Sequence, residues 1–216
     1  MSASASASTP ASAAPAAGAF EPEQALAEAG RTPYAATMKA STQLAGKDVA
    51  TSTGRGNFET LFTGRMETRS TDALPLWMES VTTADGTYVR DRLKPGGAWT
   101  KAPRSPDNQA SYTGYAKLLL ATGPAAKKGM EDLDGIPAYH LTGRLDLDQI
   151  ASVDPRTHRS MKAKGVTGFD CDQWIDAHGR TLRFEQRMEV HGMAGGNKVT
   201  FGEFGPVETF AAPTGG

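Results

Sequence analysis

The sequence predicts an α+β protein built on one large antiparallel sheet, with helices covering one face of it. Three observations carry this. The stretch from Asp172 to Val190 reads as a hairpin whose second strand places Leu182, Phe184, Met188 and Val190 on one side and Arg183, Glu185, Arg187 and Glu189 on the other. Successive strand side chains face opposite sides of a sheet, so this strand has one apolar and one wetted face. Glycine-bearing turns recur with connections too short for a parallel crossover. Helical text is confined to three segments set between runs of hairpins, the pattern of segregated α+β layers.

Along the chain, residues 2–19 contain only Ala, Ser, Pro, Thr and Gly. With no charge and no large apolar group they cannot offset their ordering entropy, and residues 1–19 are expected to be a disordered tether ahead of a single domain over 20–216. Glu21 to Gly30 carries Pro22 in a first turn and Ala and Leu throughout, which predicts a helix. Turn signals follow at Ala45-Gly46-Lys47, Ala84-Asp85-Gly86, Pro95-Gly96-Gly97, Ala177-His178-Gly179 and Gly195-Gly196-Asn197. Between them Phe58, Thr60, Phe62, Gly64 and Met66 alternate with Glu59, Leu61, Thr63, Arg65 and Glu67, and Leu76 to Val81, Thr87-Tyr88-Val89 and Trp99-Thr100-Lys101 add strand text. The expected result is one antiparallel meander. Tyr112 to Ala121 predicts a helix with Tyr115, Leu118 and Leu119 on one side. Pro137 follows Gly135, so the preceding helix is expected to end near Asp134, with a strand from Ala138 to Arg144. Asp146 to Gly165 reads as a helix broken at Asp154-Pro155, where Asp154 caps, Pro155 opens the second piece and Gly165 stops it.

Composition bounds the function. The chain has 216 residues, 23 basic against 24 acidic, for a net charge of −1. That balance gives no electrostatic footprint for nucleic acid, and no apolar run approaches the length of a membrane span. Met1 leads straight into the Ser/Ala tract without a basic n-region or an apolar h-region, so no export signal is present as the chain stands. The tract nevertheless resembles the spacer left after a removed signal; the alternative is a cytoplasmic protein with a disordered N-terminus. The lone Cys171 excludes an internal disulfide and does not decide the compartment.

Several segments together resemble a known family: Gly86-Thr-Tyr-Val89, Gly97-Ala-Trp-Thr-Lys101, Gly135-Ile-Pro-Ala-Tyr-His-Leu-Thr-Gly143 followed by Asp146, Trp174-Ile-Asp-Ala-His-Gly-Arg180, Phe204-Gly-Pro-Val207 and Ala212-Pro213. Their order and spacing are similar to those of the actinobacterial LppX/LprG-type lipoproteins, which share the LolA-like fold, over nearly everything from residue 20 onward. The resemblance implies a curved antiparallel half-barrel holding helices in its concavity, with an apolar cavity between them that takes acyl chains. It also implies an exported protein on the outer face of the cell membrane, held there by an N-terminal lipid anchor in its precursor. The cysteine that would carry that anchor is absent from this chain, so the anchor is an expectation about the precursor alone.

Conventional chemistry finds little support in the residues. His140, His158, His178 and His191 are scattered without metal-ligand spacing, and exposed side chains are the reading for His158 and His178. No nucleophile elbow, phosphate-binding glycine loop or zinc-protease helix occurs. Asp170, Asp172 and Asp176 fall on one strand face and read as solvated carboxylates, and Asp132, Asp134 and Gly135 lack the later ligands of a calcium loop. Cys171 alternates with Phe169 and is expected to face inward. No cofactor is called for.

Two features bear on binding. Arg156, His158, Arg159, Lys162 and Lys164 crowd one short helix, which serves either to meet anionic headgroups or merely as a solvated helix with cations at its negative end. The apolar inventory of Phe58, Phe62, Met66, Leu76, Met78, Leu118, Leu119, Leu182, Phe184, Met188 and Phe201 is the expected cavity wall, although the same residues would equally build an ordinary filled core. The resulting expectation is a non-enzymatic, extracytoplasmic protein that binds a lipid or other hydrophobic small molecule, possible in a carrier role, with no nucleic-acid partner and no protein partner identified. The alternative is a surface interaction or sensor module of the same fold without lipid, working through loops such as Pro103 to Asn108 or the 156–164 helix.

Overall fold

The computed structural model describes residues 19–29, 31–70, 75–104 and 111–214. The expected tether over 1–18, Gly30 at the end of the first helix, and residues 105–108 of the expected working loop lie outside them. Eleven strands form one open antiparallel sheet: β1 (Tyr34–Leu44), β2 (Lys47–Phe58), β3 (Thr63–Ser70), β4 (Trp77–Thr82), β5 (Thr87–Asp91), β6 (Thr100–Ala102), β7 (Lys127–Leu133), β8 (Ile136–Asp146), β9 (Gly168–Ile175), β10 (Thr181–Val190) and β11 (Met193–Gly205). Among the described residues, four α-helices and one short 3-10 helix (Pro124–Ala126) accompany them: α1 (Pro22–Glu28), α2 (Tyr112–Ala121), α3 (Leu147–Ile150) and α4 (Pro155–Ala163). No helix among the described residues is long and apolar enough to cross a membrane.

The sheet order is β6-β5-β4-β3-β2-β1-β11-β10-β9-β8-β7. The expected single meander is therefore two meanders, β1–β6 and β7–β11, zipped together where β1 pairs with β11 from Ala35↔Gly205 to Leu44↔Gly195. The chain crosses between the two free edges through α2. The edges are protected in ordinary ways: β6 has three residues, and β7 carries Lys127, Lys128, Glu131 and Asp132.

Local sequence explains most of these elements. Ser111 caps α2 by accepting from the Gly114 amide at 3.0 Å, and Asp154 caps α4 by accepting from the Thr157 amide at 2.9 Å. Asp154 also accepts from the Tyr115 hydroxyl at 3.2 Å, which ties α4 to α2. The tight turns Ala45-Gly46, Asp134-Gly135 and His191-Gly192 have positive φ at both residues, the twist that suits a two-residue hairpin.

Four expectations need correction. Residues before Asp134 form strand β7 rather than a helix, because Asp134-Gly135 turns the chain back on itself; Pro137 is tolerated because β8 pairs with β9 only from Tyr139 onward. The final turn is at His191-Gly192, and Gly195, Gly196 and Asn197 lie inside β11 opposite Met188, Arg187 and Gln186. The alternating run from Phe58 to Glu67 is two strands, since Glu59 takes φ +56° without any glycine to announce the turn. Leu182 does not share a face with Phe184: the β9–β10 register slips between Thr181 and Arg183, and this bulge turns Leu182 toward Trp174 and Ala138 on the opposite face.

The main core lies between the helices and β8–β10. Leu26 of α1, Tyr115 and Leu119 of α2, Ile150 of α3 and Met161 of α4 pack on Leu141, Leu145, Phe169, Cys171, Ile175 and Phe184. Gly143 lets α2 sit close to β8, since an added Cβ would stand 3.3 Å from Leu119. Cys171 is fully buried there, and burial raises its thiol pKa well above the ordinary value. The helices thus fill one half of the sheet's inner face.

Candidate functional site

Among the described residues, the other half, over β1–β5, has no helix packed broadly against it. Register identifies its inner face: Ala40, Ser52 and Thr68 pair across β1–β3, Met38, Gly54 and Met66 form the next row, and Gly64, Thr82 and Thr87 another. Part of this face is small: Ala40, Ser52 and Ser80 line open space, while the three glycines Gly54, Gly56 and Gly64 are covered by Met66 and Phe62. The result is an open groove of about 500 Å³, within the usual range of roughly 300–1,000 Å³ for ligand pockets. Met38, Phe58, Phe62, Met66, Val89 and Tyr112 supply its large apolar surfaces.

The polar atoms of the wall are largely satisfied within it. The Ser52 and Thr68 hydroxyls meet at 2.9 Å, and those of Thr82 and Thr87 at 3.2 Å, so these four hydroxyls are paired within the wall, while Asn57, Glu59, Ser111 and Arg156 add polar surface to it. Phe62 lies against Gly56 and Gly64, where a Cβ would approach its ring to 2.5 and 2.8 Å. At the boundary with the filled half stands Tyr112, edge-on to Phe184 at 5.4 Å and to Phe201 at 4.9 Å. Its backbone carbonyl accepts from Gln173 Nε2 at 2.8 Å, and burial, followed by the nearby Asp154, raises its phenol pKa. Tyr112 is therefore a neutral, fixed partition.

Of the residues expected to form the cavity wall, the groove gathers Phe58, Phe62 and Met66. Phe201 is buried behind them, edge-on to Phe58 at 5.2 Å. Leu119 and Phe184 belong to the filled core, with Leu118 and Met188 packed against its margin. Met78 shares the inner face through its pairing with Thr68 but is not part of the groove lining. Leu76 is exposed ahead of β4, and Leu182 faces the other way. Sequence reading passed over Met38, Ala40 and the small inner positions of β2. The signal was present in Thr51 to Phe58, where Ser52, Gly54 and Gly56 alternate on one face and so let Met66 and Phe62 from the neighbouring segment lie over it.

The cationic helix is α4. Arg156 lines the groove, whereas His158 is only 19% exposed and stands 3.9 Å from Asp148, so it is not the exposed side chain expected. His178 is exposed in the β9–β10 turn.

One polar cluster stands out on the convex face. The two ring nitrogens of His140 lie 2.7 Å from Glu131 and 2.8 Å from Asp172, and the ring stacks on Trp174 at 4.3 Å. Trp174 Nε1 donates to Glu131 at 2.7 Å, and Arg187 pairs with Asp172. Asp172 and Asp176 are thus buried and partnered, Asp176 by Arg180 at 2.6 Å, rather than solvated; Asp170 alone of the three is exposed. Both His140 nitrogens are occupied, so neither is open to a substrate proton. No group of three or more His, Cys, Asp or Glu suited to a metal occurs among the described residues.

This cluster gives an acid-sensitivity prediction. Burial works against ionisation of Asp172, but hydrogen bonds from Thr142, Arg187 and His140 outweigh it and hold the carboxyl below its ordinary range; Trp174 and His140 do the same for Glu131. Depressed carboxylates stabilise the fold above their unfolded values and lose that contribution as pH falls through the folded ones. Urea midpoints are expected to fall below about pH 4, and less steeply in an Asp172→Asn, Glu131→Gln variant; identical slopes would refute the role.

Comparison with solved structures places the fold. LprF from Mycobacterium bovis matches at 16% identity with a TM-score of 0.55, over 91% of this chain and 99% of that one. The chain has the LprF fold. The α+β, LolA-like architecture expected from the sequence resemblance is thereby borne out, as an open antiparallel sheet holding helices on one face. The lipoprotein LppX of Mycobacterium tuberculosis is also similar, at 15% identity and a TM-score of 0.49 over 87% of this chain and 98% of that one. Among curated proteins, an uncharacterised 31.2 kDa protein of Streptomyces griseus is 25% identical over 134 residues, 57% of this chain and 44% of its own length. The chain thus spans less than half of that relative. No family model matches the chain.

Proposed function

We propose that residues 20–216 act as one non-enzymatic domain that binds the hydrocarbon part of a lipid in the groove over β1–β5. The observation that carries this reading is the half of the sheet left without a helix among the described residues, where Met38, Phe58, Phe62, Met66, Val89 and Tyr112 line about 500 Å³ of open space. The sequence resemblance to LppX/LprG-type lipoproteins supports it, and LprF shares the fold. By the same analogy the protein works on the outer face of the cell membrane, tethered by residues 1–19 to a lipid anchor carried by its precursor. No catalytic step is required: a carrier releases its cargo according to the difference in affinity between groove and membrane. Each buried methylene contributes about 0.8 kcal/mol, so a tail of roughly ten offsets much of the ~4–15 kcal/mol cost of association.

The test is direct. Protein purified from a high-GC Gram-positive host is extracted with organic solvent and the extract examined by mass spectrometry, beside the native mass of the intact protein. A stoichiometric lipid is expected. A protein that is reproducibly empty and ignores fluorescent fatty-acid probes would overturn the reading.

A further inference from the structure

A second, smaller concavity of about 250 Å³ adjoins the groove where the end of α1, the start of β1, the Glu59 turn, the start of α2 and the β9–β10 turn meet. Glu28, Tyr34, Glu59, Thr113, His178 and Arg180 line it, and Glu59 also lines the groove, so the two spaces share a wall. We infer that this pocket is the headgroup subsite of the groove's ligand and that it takes a primary ammonium group, an inference that rests on the lipid-binding reading above.

Four features of the pocket argue for this. Tyr34 is 8% exposed and its hydroxyl, which makes no hydrogen bond to the described residues, opens on the pocket, where a ligand's polar group can meet it. Burial and then the neighbouring Glu59 raise its pKa, so it stays a neutral phenol able to accept from a cation. Glu59 is held in the left-handed region at φ +56°, a conformation that costs energy for a residue with a side chain and tends to persist where surrounding contacts impose it. One of its carboxylate oxygens accepts from Thr113 Oγ1 at 2.6 Å; the other has no partner among the described residues.

The charge balance selects the headgroup. Arg180 is neutralised by Asp176 at 2.6 Å and lies over the Phe204 ring at 4.3 Å. Glu28 and Glu59 have no such counter-charge among the described residues. An ammonium group, with three donors and no acceptor, complements the two carboxylates and the Tyr34 oxygen. A carboxylate or phosphate in the same place would meet two like charges. Arg156, the cation that an anionic headgroup would seek, lines the groove and not this pocket.

The experiment compares dodecylamine, dodecanol and dodecanoate, each below its micelle concentration, as competitors of an uncharged, polarity-sensitive hydrophobic dye on the delipidated full chain at pH 7. The amine is expected to bind at least about tenfold more tightly than the alcohol. In Glu59→Gln, and separately in Glu28→Gln on the exposed helix end, that preference should shrink while alcohol binding holds. Equal binding of all three, or dodecanoate binding most tightly, would overturn the headgroup inference and leave the lipid-binding reading intact. Failure of all three to compete would overturn both.

Discussion

Phe169→Ala is expected to destabilise the protein by about 3–5 kcal/mol, and Phe62→Ala by only about 1 kcal/mol. The chemistry of the two substitutions is the same; the surroundings differ. Phe169 is fully buried, 6.2 Å from the Tyr115 ring, in a core closed by all four helices. Removing its ring leaves a cavity that rigid neighbours on both sides cannot collapse into. Phe62 is half-exposed at the groove and covers the glycine pair Gly56 and Gly64, so its loss opens a space that is already wetted. Urea denaturation followed at constant m-value separates the two outcomes. Equal losses would mean that the two halves of the sheet are packed alike and that the groove is no more than a shallow dent in a continuous core.

This asymmetry is also what the sequence concealed. The alternation of β10, the glycine turns and the capped helices α2 and α4 were legible because each is a local pattern: period two, a positive φ, an Asp-Pro start. The division of labour between two groups of apolar residues was not. Phe58 and Phe184 look alike in the sequence, and only the pairing of β1 with β11, across more than 150 residues, puts one beside a hole and the other under Tyr112 and Tyr115. Leu182 misled for a related reason, since a one-residue bulge reverses a face without leaving a mark such as glycine or proline. The groove itself is marked by small inner residues, Ala40, Ser52 and Ser80, and an inventory of large apolar side chains passes over them. The His140 cluster was equally invisible, because Glu131, His140, Asp172 and Arg187 come from four different strands and carry no spacing motif.

Val89→Asp is expected to weaken binding of a fluorescent fatty-acid probe by about 30–100-fold, a loss of roughly 2–3 kcal/mol, because a hydrocarbon tail in the groove would strip water from the introduced carboxylate. Val89 sits on the inner face of β5 between Ser80 and Thr100 and is only half-buried, so the carboxylate remains hydrated in the unliganded protein. The melting temperature should therefore change little, which separates lost binding from lost folding. Val89→Leu keeps the surface apolar and should bind as the native protein does. The position is chosen against the alternatives that the apolar inventory offers: a charge at Phe184 would enter the filled core and unfold the protein, and one at Leu182 would fall on the opposite face of the sheet. If Val89→Asp binds the probe unchanged, β5 is not part of the site, and a ligand would have to be held by Met38, Phe58 and Tyr112 alone.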